Sequence, residues 1–386
     1  MQENIYMDYQ ATTPCDPRVL EKMLPYFCEK FGNSHSTHVI GKIAEKAVEE
    51  ARAQVAKLIG ANDPREIIFT SGATESCNIA IQGVARFHRE KGNRIITTNI
   101  EHKCVEETFR ALSYEGFDSV FVPVKSNGII DLDALRNTIN EKTTLVSIIY
   151  ANNEIGVIQP VEEIYKICRE RGVFLHLDAA QAFGKIKVDA AQADLISISG
   201  HKIYGPKGIG ALYIRMNNPR VRLKPICYGG GQERGLRSGT LPTPLCVGLG
   251  EACKIASEEM QEEHERLKKL SQHFIEKIQN NLEKVELNGD AQQRLPGCIN
   301  MRFEGVEGEA IMLGMPEICV SSGSACASTT LEPSHVLRAI SDREDTAHTS
   351  LRIGFGRFTT LEEVDYVASK IIETVKHLRE MSPLWS

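Results

Sequence analysis

No apolar run in the 386 residues approaches the roughly 18 that a membrane-crossing helix needs. The first ten residues include Glu3 and Asp8 and have neither a basic start nor an apolar centre, so no secretory signal is expected. Net positive charge is also missing: 45 Lys and Arg against 51 Asp and Glu leave −6, and no global field favours nucleic acid or an anionic membrane. The 11 cysteines are about 3% of the chain, far below the roughly 8–10% of a disulfide scaffold. None stands at Cys-x-x-Cys spacing, and the close pair His35 and His38 has no cysteine pair beside it. Reduced thiols in a cytoplasmic setting, with no metal site, are therefore the expectation. Neither nucleotide motif fits: no G-x-G-x-x-G follows a strand, and Pro206 spoils the phosphate-loop spacing of residues 200–207.

What is present is an ordinary globular composition, 42% hydrophobic and 25% charged, in a chain long enough for one large domain and a smaller one. Short runs rich in Val, Ile and Leu recur at residues 66–70, 94–98, 119–124, 144–150, 173–178, 194–199 and 210–214. Near-continuous apolar runs of this length suit strands buried on both faces by crossover helices. Helical periodicity lies between and before them: Ala44, Ala47, Val48, Ala51, Val55 and Leu58 form one stripe over 41–59, and 131–135 and 161–171 are shorter examples. The reading is an α/β fold with a mostly parallel seven-stranded sheet in a large domain, 16–260. A charged helix over 257–281 opens a smaller α+β domain, 261–386 together with 1–15, with strands at 298–303, 318–321 and 351–355 and a last helix over 361–380.

Four strand ends carry chemistry. Lys202 follows the strand 194–199 in a glycine-rich turn, Ser199-Gly-His201-Lys202, at the sheet edge where open α/β folds bind ligands. An amine there can form a Schiff base, although a lone lysine in such a turn is more often simply exposed. Asp178 ends another strand; a buried carboxylate there needs a positive partner, such as a protonated pyridine nitrogen, unless it is only a helix cap. Ser71-Gly72-Ala73-Thr74 runs from strand into helix and can cradle a phosphate or serve as an ordinary cap. His102, after the strand 94–98, is placed to stack on a flat ring and move protons, or to be a satisfied structural histidine. Separately, residues 321–330 are small and hydroxylic around one thiol, Cys326, and are expected to form a mobile loop. Cys246 and Cys253, seven apart on one helix, suit a buried apolar role.

Taken together the chain resembles the fold-type I pyridoxal phosphate enzymes. Within them it resembles the cysteine desulfurases of the housekeeping, scaffold-linked kind that supply sulfur for iron–sulfur clusters. The likeness is carried in order by residues 7–14, 71–76, 101–103, 152–156 (Asn-Asn-Glu-Ile-Gly), 178–181, 199–202, 229–240, 321–328 and 351–354. It implies pyridoxal 5'-phosphate held covalently by Lys202, Asp178 on the ring nitrogen, Gln181 on the ring hydroxyl, and His102 stacked as acid/base. Ala73, Thr74, Ser199 and His201 bind the phosphate, joined by Thr240 from a neighbouring subunit of a homodimer. Asn153 contacts cofactor and substrate, and Arg352 holds the substrate carboxylate. L-cysteine becomes L-alanine, and Cys326 takes the sulfur as a persulfide for scaffold and other acceptor proteins, including a transient cluster held on Cys326 during transfer. The family docks its scaffold through a tail beyond Ser-Pro-Leu-Trp, of which this chain has only Ser386. A selenocysteine lyase or an aminotransferase would share Lys202 and Asp178, but an aminotransferase needs no thiol loop. A cofactor-free sulfur relay would need none of Lys202, Asp178 and Thr74.

Overall fold

The computed structural model describes residues 4–322, 333–343, 345–382 and 385. A short N-terminal strand, β1 (Ile5–Tyr6), precedes the seven strands of the main sheet. These are β2 (Ile67–Thr70), β3 (Arg94–Thr98), β4 (Asp118–Val122), β5 (Thr143–Ile149), β6 (Phe174–Asp178), β7 (Leu195–Ser199) and β8 (Gly210–Ile214). Their order is β2-β8-β7-β6-β5-β3-β4, and only β8 runs against the others. The apolar runs of the sequence are these strands to within a residue or two at most ends, because both faces are covered: all seven residues of β5 and all five of β7 are buried.

Beyond the sheet lie β9 (Val285–Leu287), β10 (Cys298–Phe303), β11 (Ile318–Cys319), β12 (Ser321–Ser322) and β13 (Ser350–Gly354). Four of them form an antiparallel sheet ordered β12-β13-β10-β9, while β1 pairs in parallel with β11. The second apolar cluster gathers Met7, Met301, Phe303, Leu351, Ile353 and Val367, with the helix Leu361–Met381 laid across it.

One expectation shifts. The helix expected at 257–281 is a single helix, Thr243–Asn281, beginning 14 residues earlier. Its first half puts Cys246, Leu249, Ala252 and Cys253 into the main core, and its second half puts Leu267, Leu270, Phe274 and Ile278 into the other. The composition change marked where the helix leaves one core for the other, and not where it starts. It packs tightly on the helix Val39–Ile59: a Cβ on Gly250 would lie 2.7 Å from Ala51 Cα, so only glycine permits this approach. Among the described residues no helix is long and apolar enough to cross a membrane.

Candidate active site

Because β2, β3, β5, β6 and β7 point the same way, their carboxyl ends meet along one edge of the sheet. There they wall a cleft of about 570 Å³, closed on another side by Gln10, Ala11 and Thr12. The cleft collects Ala73 and Thr74 after β2, His102 after β3, Asn153 after β5, Asp178 and Gln181 from β6, and Ser199, His201 and Lys202 from β7. Nine of the expected site residues thus share one cavity.

Lys202 closes a single 3₁₀ turn directly after β7. Its Nζ donates to the carbonyl oxygens of Gln10 at 2.5 Å and Ala11 at 2.7 Å, which fixes the amine at the cleft floor. Gln181 Nε2 donates to the same Gln10 carbonyl at 2.8 Å, while its Oε1 accepts from Lys185 Nζ at 3.0 Å. Those two bonds orient the amide. His201 Nδ1 lies 3.0 Å from Thr12 Oγ1, and burial, then the charges of Lys202, Lys207 and Lys185, push its pKa down to about 4, so the ring is neutral near neutral pH.

Asp178 is buried, and its Oδ1 accepts from the Ala180 N–H at 3.0 Å. Burial, reinforced by Cys104, pushes its carboxyl up to about 6. Among the described residues no Lys, Arg or His forms an ion pair with it. Besides the charge of His102 and the hydrogen bonds from Ala180 and Cys77, nothing among the described residues offsets its burial, and a positive partner supplied by a ligand suits such a carboxylate.

His102 is the N-cap of the helix Lys103–Tyr114, its Nδ1 accepting from the Cys104 N–H at 3.1 Å. A ring that caps through Nδ1 carries its proton on Nε2. Burial lowers its pKa, but the hydrogen bond and charge of Cys104 and the charge of Asp178 outweigh this and leave it raised.

The anion end of the cleft is the start of the helix Ala73–Phe87. Its N-cap, Gly72, supplies no side-chain bond, so the N–H groups of the first turn stand uncapped at the wall beside Thr74, Ser199 and His201. A Cβ on Gly210 would lie 2.7 Å from Gly72 Cα, so glycine in β8 lets this turn rest directly on the sheet.

Arg352, in β13, lies outside the cleft lining but next to it: Nη1 donates to the Asn153 carbonyl at 3.0 Å and Nη2 to Asp8 Oδ1 at 2.8 Å. Thr240 is exposed and is not among the residues lining the cleft of its own chain. Cys326 and the rest of its expected loop lie outside the described residues, except that Ser321 and Ser322 form β12, with Ser321 opposite Arg352. On the far side of 323–332, Ser334 donates its hydroxyl to the buried Glu154 carboxylate, and His335 Nε2 pairs with the Glu101 carbonyl at 2.9 Å. Both flanks of the cysteine segment are therefore pinned next to cleft residues. Gln10, Thr12, Cys104 and Lys207 also line the cleft and were not singled out from the sequence. The only signal for the first two was their place in the 7–14 motif.

A fixed amine, a buried carboxylate without an ion-pair partner and an uncapped helix start fit the three reactive ends of pyridoxal phosphate: aldehyde, ring nitrogen and phosphate. Fold and cleft together define an enzyme of that cofactor class. The aminotransferase class-V family model matches residues 5–367. The chain is 59% identical over 384 residues to the "Cysteine desulfurase IscS" of Rickettsia felis, covering 99% of this chain and 93% of that one. It is 58% identical to the "Cysteine desulfurase" of Mus musculus, covering 99% and 83%. Among solved structures, a "NifS-like protein" superposes with a TM-score of 0.90 at 39% identity, covering 97% of this chain and all of the other. "SspA in complex with cysteine" does so with 0.80 at 37%, covering 92% and all of the other. The chain belongs to the class-V aminotransferase family of pyridoxal-phosphate-dependent enzymes and, within it, to the cysteine desulfurases.

Proposed function

We propose that the chain converts L-cysteine to L-alanine and that Cys326 takes up the sulfur as a persulfide, which is passed on for iron–sulfur cluster assembly and other sulfur-requiring pathways. The convergence of Lys202, Asp178 and the uncapped start of the helix Ala73–Phe87 on one cleft carries the reading. The structural neighbour SspA in complex with cysteine supports the substrate.

Pyridoxal phosphate, when bound, supplies an electron sink that makes the α-hydrogen of an attached amino acid acidic. Asp178 would hold the ring nitrogen, Gln181 the ring hydroxyl, and Thr74, Ser199, His201 and the Ala73 turn the phosphate, together with Thr240 of the partner subunit. Lys202 Nζ would hold the cofactor and would move protons at the α-carbon. His102 carries a proton on Nε2 and acts as acid/base. Asn153 and Arg352 orient the substrate carboxylate, Arg352 by its guanidinium fork. The Cys326 thiolate forms an S–S bond as the substrate's C–S bond breaks, and a proton replaces sulfur on the carbon, so cysteine plus thiol gives alanine plus persulfide.

The reading includes a homodimer, in which Thr240 completes its neighbour's phosphate site, and a cytoplasmic protein that meets a scaffold and other acceptors, with a transient cluster on Cys326 during transfer. It divides the chain into a cofactor domain, 16–260, and a smaller domain, 1–15 with 261–386, that carries the cysteine segment. The pairing of β1 with β11 supports this grouping. The experiment is to incubate purified protein with L-cysteine and a reductant. Alanine and sulfide should appear in equal amounts, and a cysteine-dependent release of neither would refute the reading.

A further inference from the structure

Behind the wall of the cleft two cysteines meet. Cys77 lies in the helix Ala73–Phe87 and is fully buried; Cys104 lies in the first turn of the helix Lys103–Tyr114 and is half-buried. The Thr108 hydroxyl donates to Asn78 Oδ1 at 3.0 Å, which locks the two helices beside the pair. The two sulfurs and a carboxylate oxygen of Asp178 all lie within 4.8 Å of one another. Cys104 lines the cleft and also a second, more open concavity of about 450 Å³ bounded by Thr74, Asn78, Lys103, Glu107 and Ala111. Cys104 therefore borders a second concavity besides the cleft, with Thr74 and His102 shared between the two.

Two apolar core thiols would behave otherwise. Burial alone raises the pKa of Cys253, and it is the main cause of the rise at Cys246, to about 12. Cys104 goes the other way, down to about 5: the Cys77 thiol hydrogen-bonds to its sulfur, and His102 and Thr74 add to this against the cost of burial. The same bond and burial raise Cys77, which keeps its proton. A thiolate open to a pocket with a protonated thiol directly behind it is the arrangement of an attacking and a resolving cysteine.

We propose that Cys77 and Cys104 form a redox pair that closes a disulfide when a hydroperoxide enters the pocket beside them. The Cys104 thiolate attacks the peroxide, its S–O bond forming as the O–O bond breaks and hydroxide leaves, which gives a sulfenic acid on Cys104. Cys77 sulfur then attacks that sulfur; the S–S bond forms, the S–O bond breaks, and the oxygen leaves as water with the Cys77 proton. With hydrogen peroxide, one thiolate and one thiol give one disulfide, one water and one hydroxide, and the peroxide takes up the two electrons the sulfurs lose. The disulfide needs the sulfurs, now within 4.8 Å, to close to about 2 Å. Closing it also removes the Cys104 charge and the Cys77 hydrogen bond beside Asp178, which ties the redox state to the cofactor's carboxylate; this last link rests on the role proposed above for Asp178.

The test treats the cofactor-loaded enzyme with a few equivalents of hydrogen peroxide, blocks free thiols, digests without reduction and reads the peptides by mass. The cross-linked pair containing residues 77 and 104, two hydrogens lighter and released by dithiothreitol, is expected as the main oxidised form of Cys104. In Cys77→Ser the same dose should leave Cys104 as a dimedone-reactive sulfenic acid that passes on to sulfinic acid. Three results overturn the proposal: Cys104 in the wild type found as sulfinic acid with Cys77 free, Cys104 linked to another cysteine, or Cys104 untouched at a dose that oxidises other thiols. The wild-type peptide map decides even if the variant does not fold, and it is independent of whether the enzyme turns over L-cysteine.

Discussion

Asp8 and Arg352 form an ion pair at 2.8 Å although 344 positions separate them, and the same guanidinium donates to the carbonyl of Asn153 at the cleft wall. The N-terminal segment and β13 are thereby tied at the point where the substrate carboxylate is assigned. A lysine in place of Arg352 keeps the charge but cannot reach both oxygens in one plane. Arg352→Lys should raise KM for L-cysteine about tenfold or more, ~1.4 kcal/mol, and leave the visible absorption of the bound cofactor as it was. Steady-state kinetics and a spectrum check this; an unchanged KM removes Arg352 from the substrate site.

Asp178 gives a pH-dependent signature. Its folded-state pKa, about 6, lies above the ordinary 3.8. In the cofactor-free protein the buried charge is therefore a penalty of roughly 3 kcal/mol, fully present above about pH 6 and gone as pH falls below about 4. Asp178→Asn should make the cofactor-free protein more stable near pH 8, with the difference closing towards pH 4, while cofactor retention weakens because the ring nitrogen loses its counter-charge. Denaturation curves at the two pH values and cofactor absorbance test both halves. An equal stability difference at both pH values would contradict the assignment.

His102 has two jobs that one substitution separates. Asparagine caps helices well, so His102→Asn should keep the start of the helix Lys103–Tyr114 and shift stability by less than about 1 kcal/mol. It cannot exchange protons, and turnover should fall by about 10²–10⁴. Near-normal turnover in the folded variant would make the histidine only a cap.

Lys202 is bound more firmly than a strand-end lysine needs to be. Lys202→Ala leaves the Gln10 and Ala11 carbonyls without its amine and should cost about 1–3 kcal/mol, yet the fold should persist because the β7 core is untouched. Alanine production should be abolished. Continued turnover would exclude covalent attachment at this residue.

The main sheet was legible because strands buried on both faces, such as β5 and β7, leave near-continuous apolar runs broken only by small hydroxyl residues. The strand-end residues Asp178 and Lys202 were legible for the same reason, since each follows such a run. The start of the helix Thr243–Asn281 was not, because its first half is an apolar stripe that belongs to the main core. Lys202 held by Gln10, and Arg352 by Asp8, join distant segments and have no local pattern. The pairing of Cys77 with Cys104 depends on two helices packing side by side, which no spacing in the sequence encodes.

The persulfide on Cys326 can be measured directly. Wild-type protein exposed briefly to L-cysteine is alkylated and digested, and the peptide containing residue 326 is weighed. One added sulfur is expected on Cys326, with none in Cys326→Ser and a stalled turnover in that variant, since a serine hydroxyl stays protonated near neutral pH and cannot take sulfur. A persulfide on another of the eleven cysteines, or alanine and sulfide released at the normal rate by Cys326→Ser, would contradict that role of Cys326.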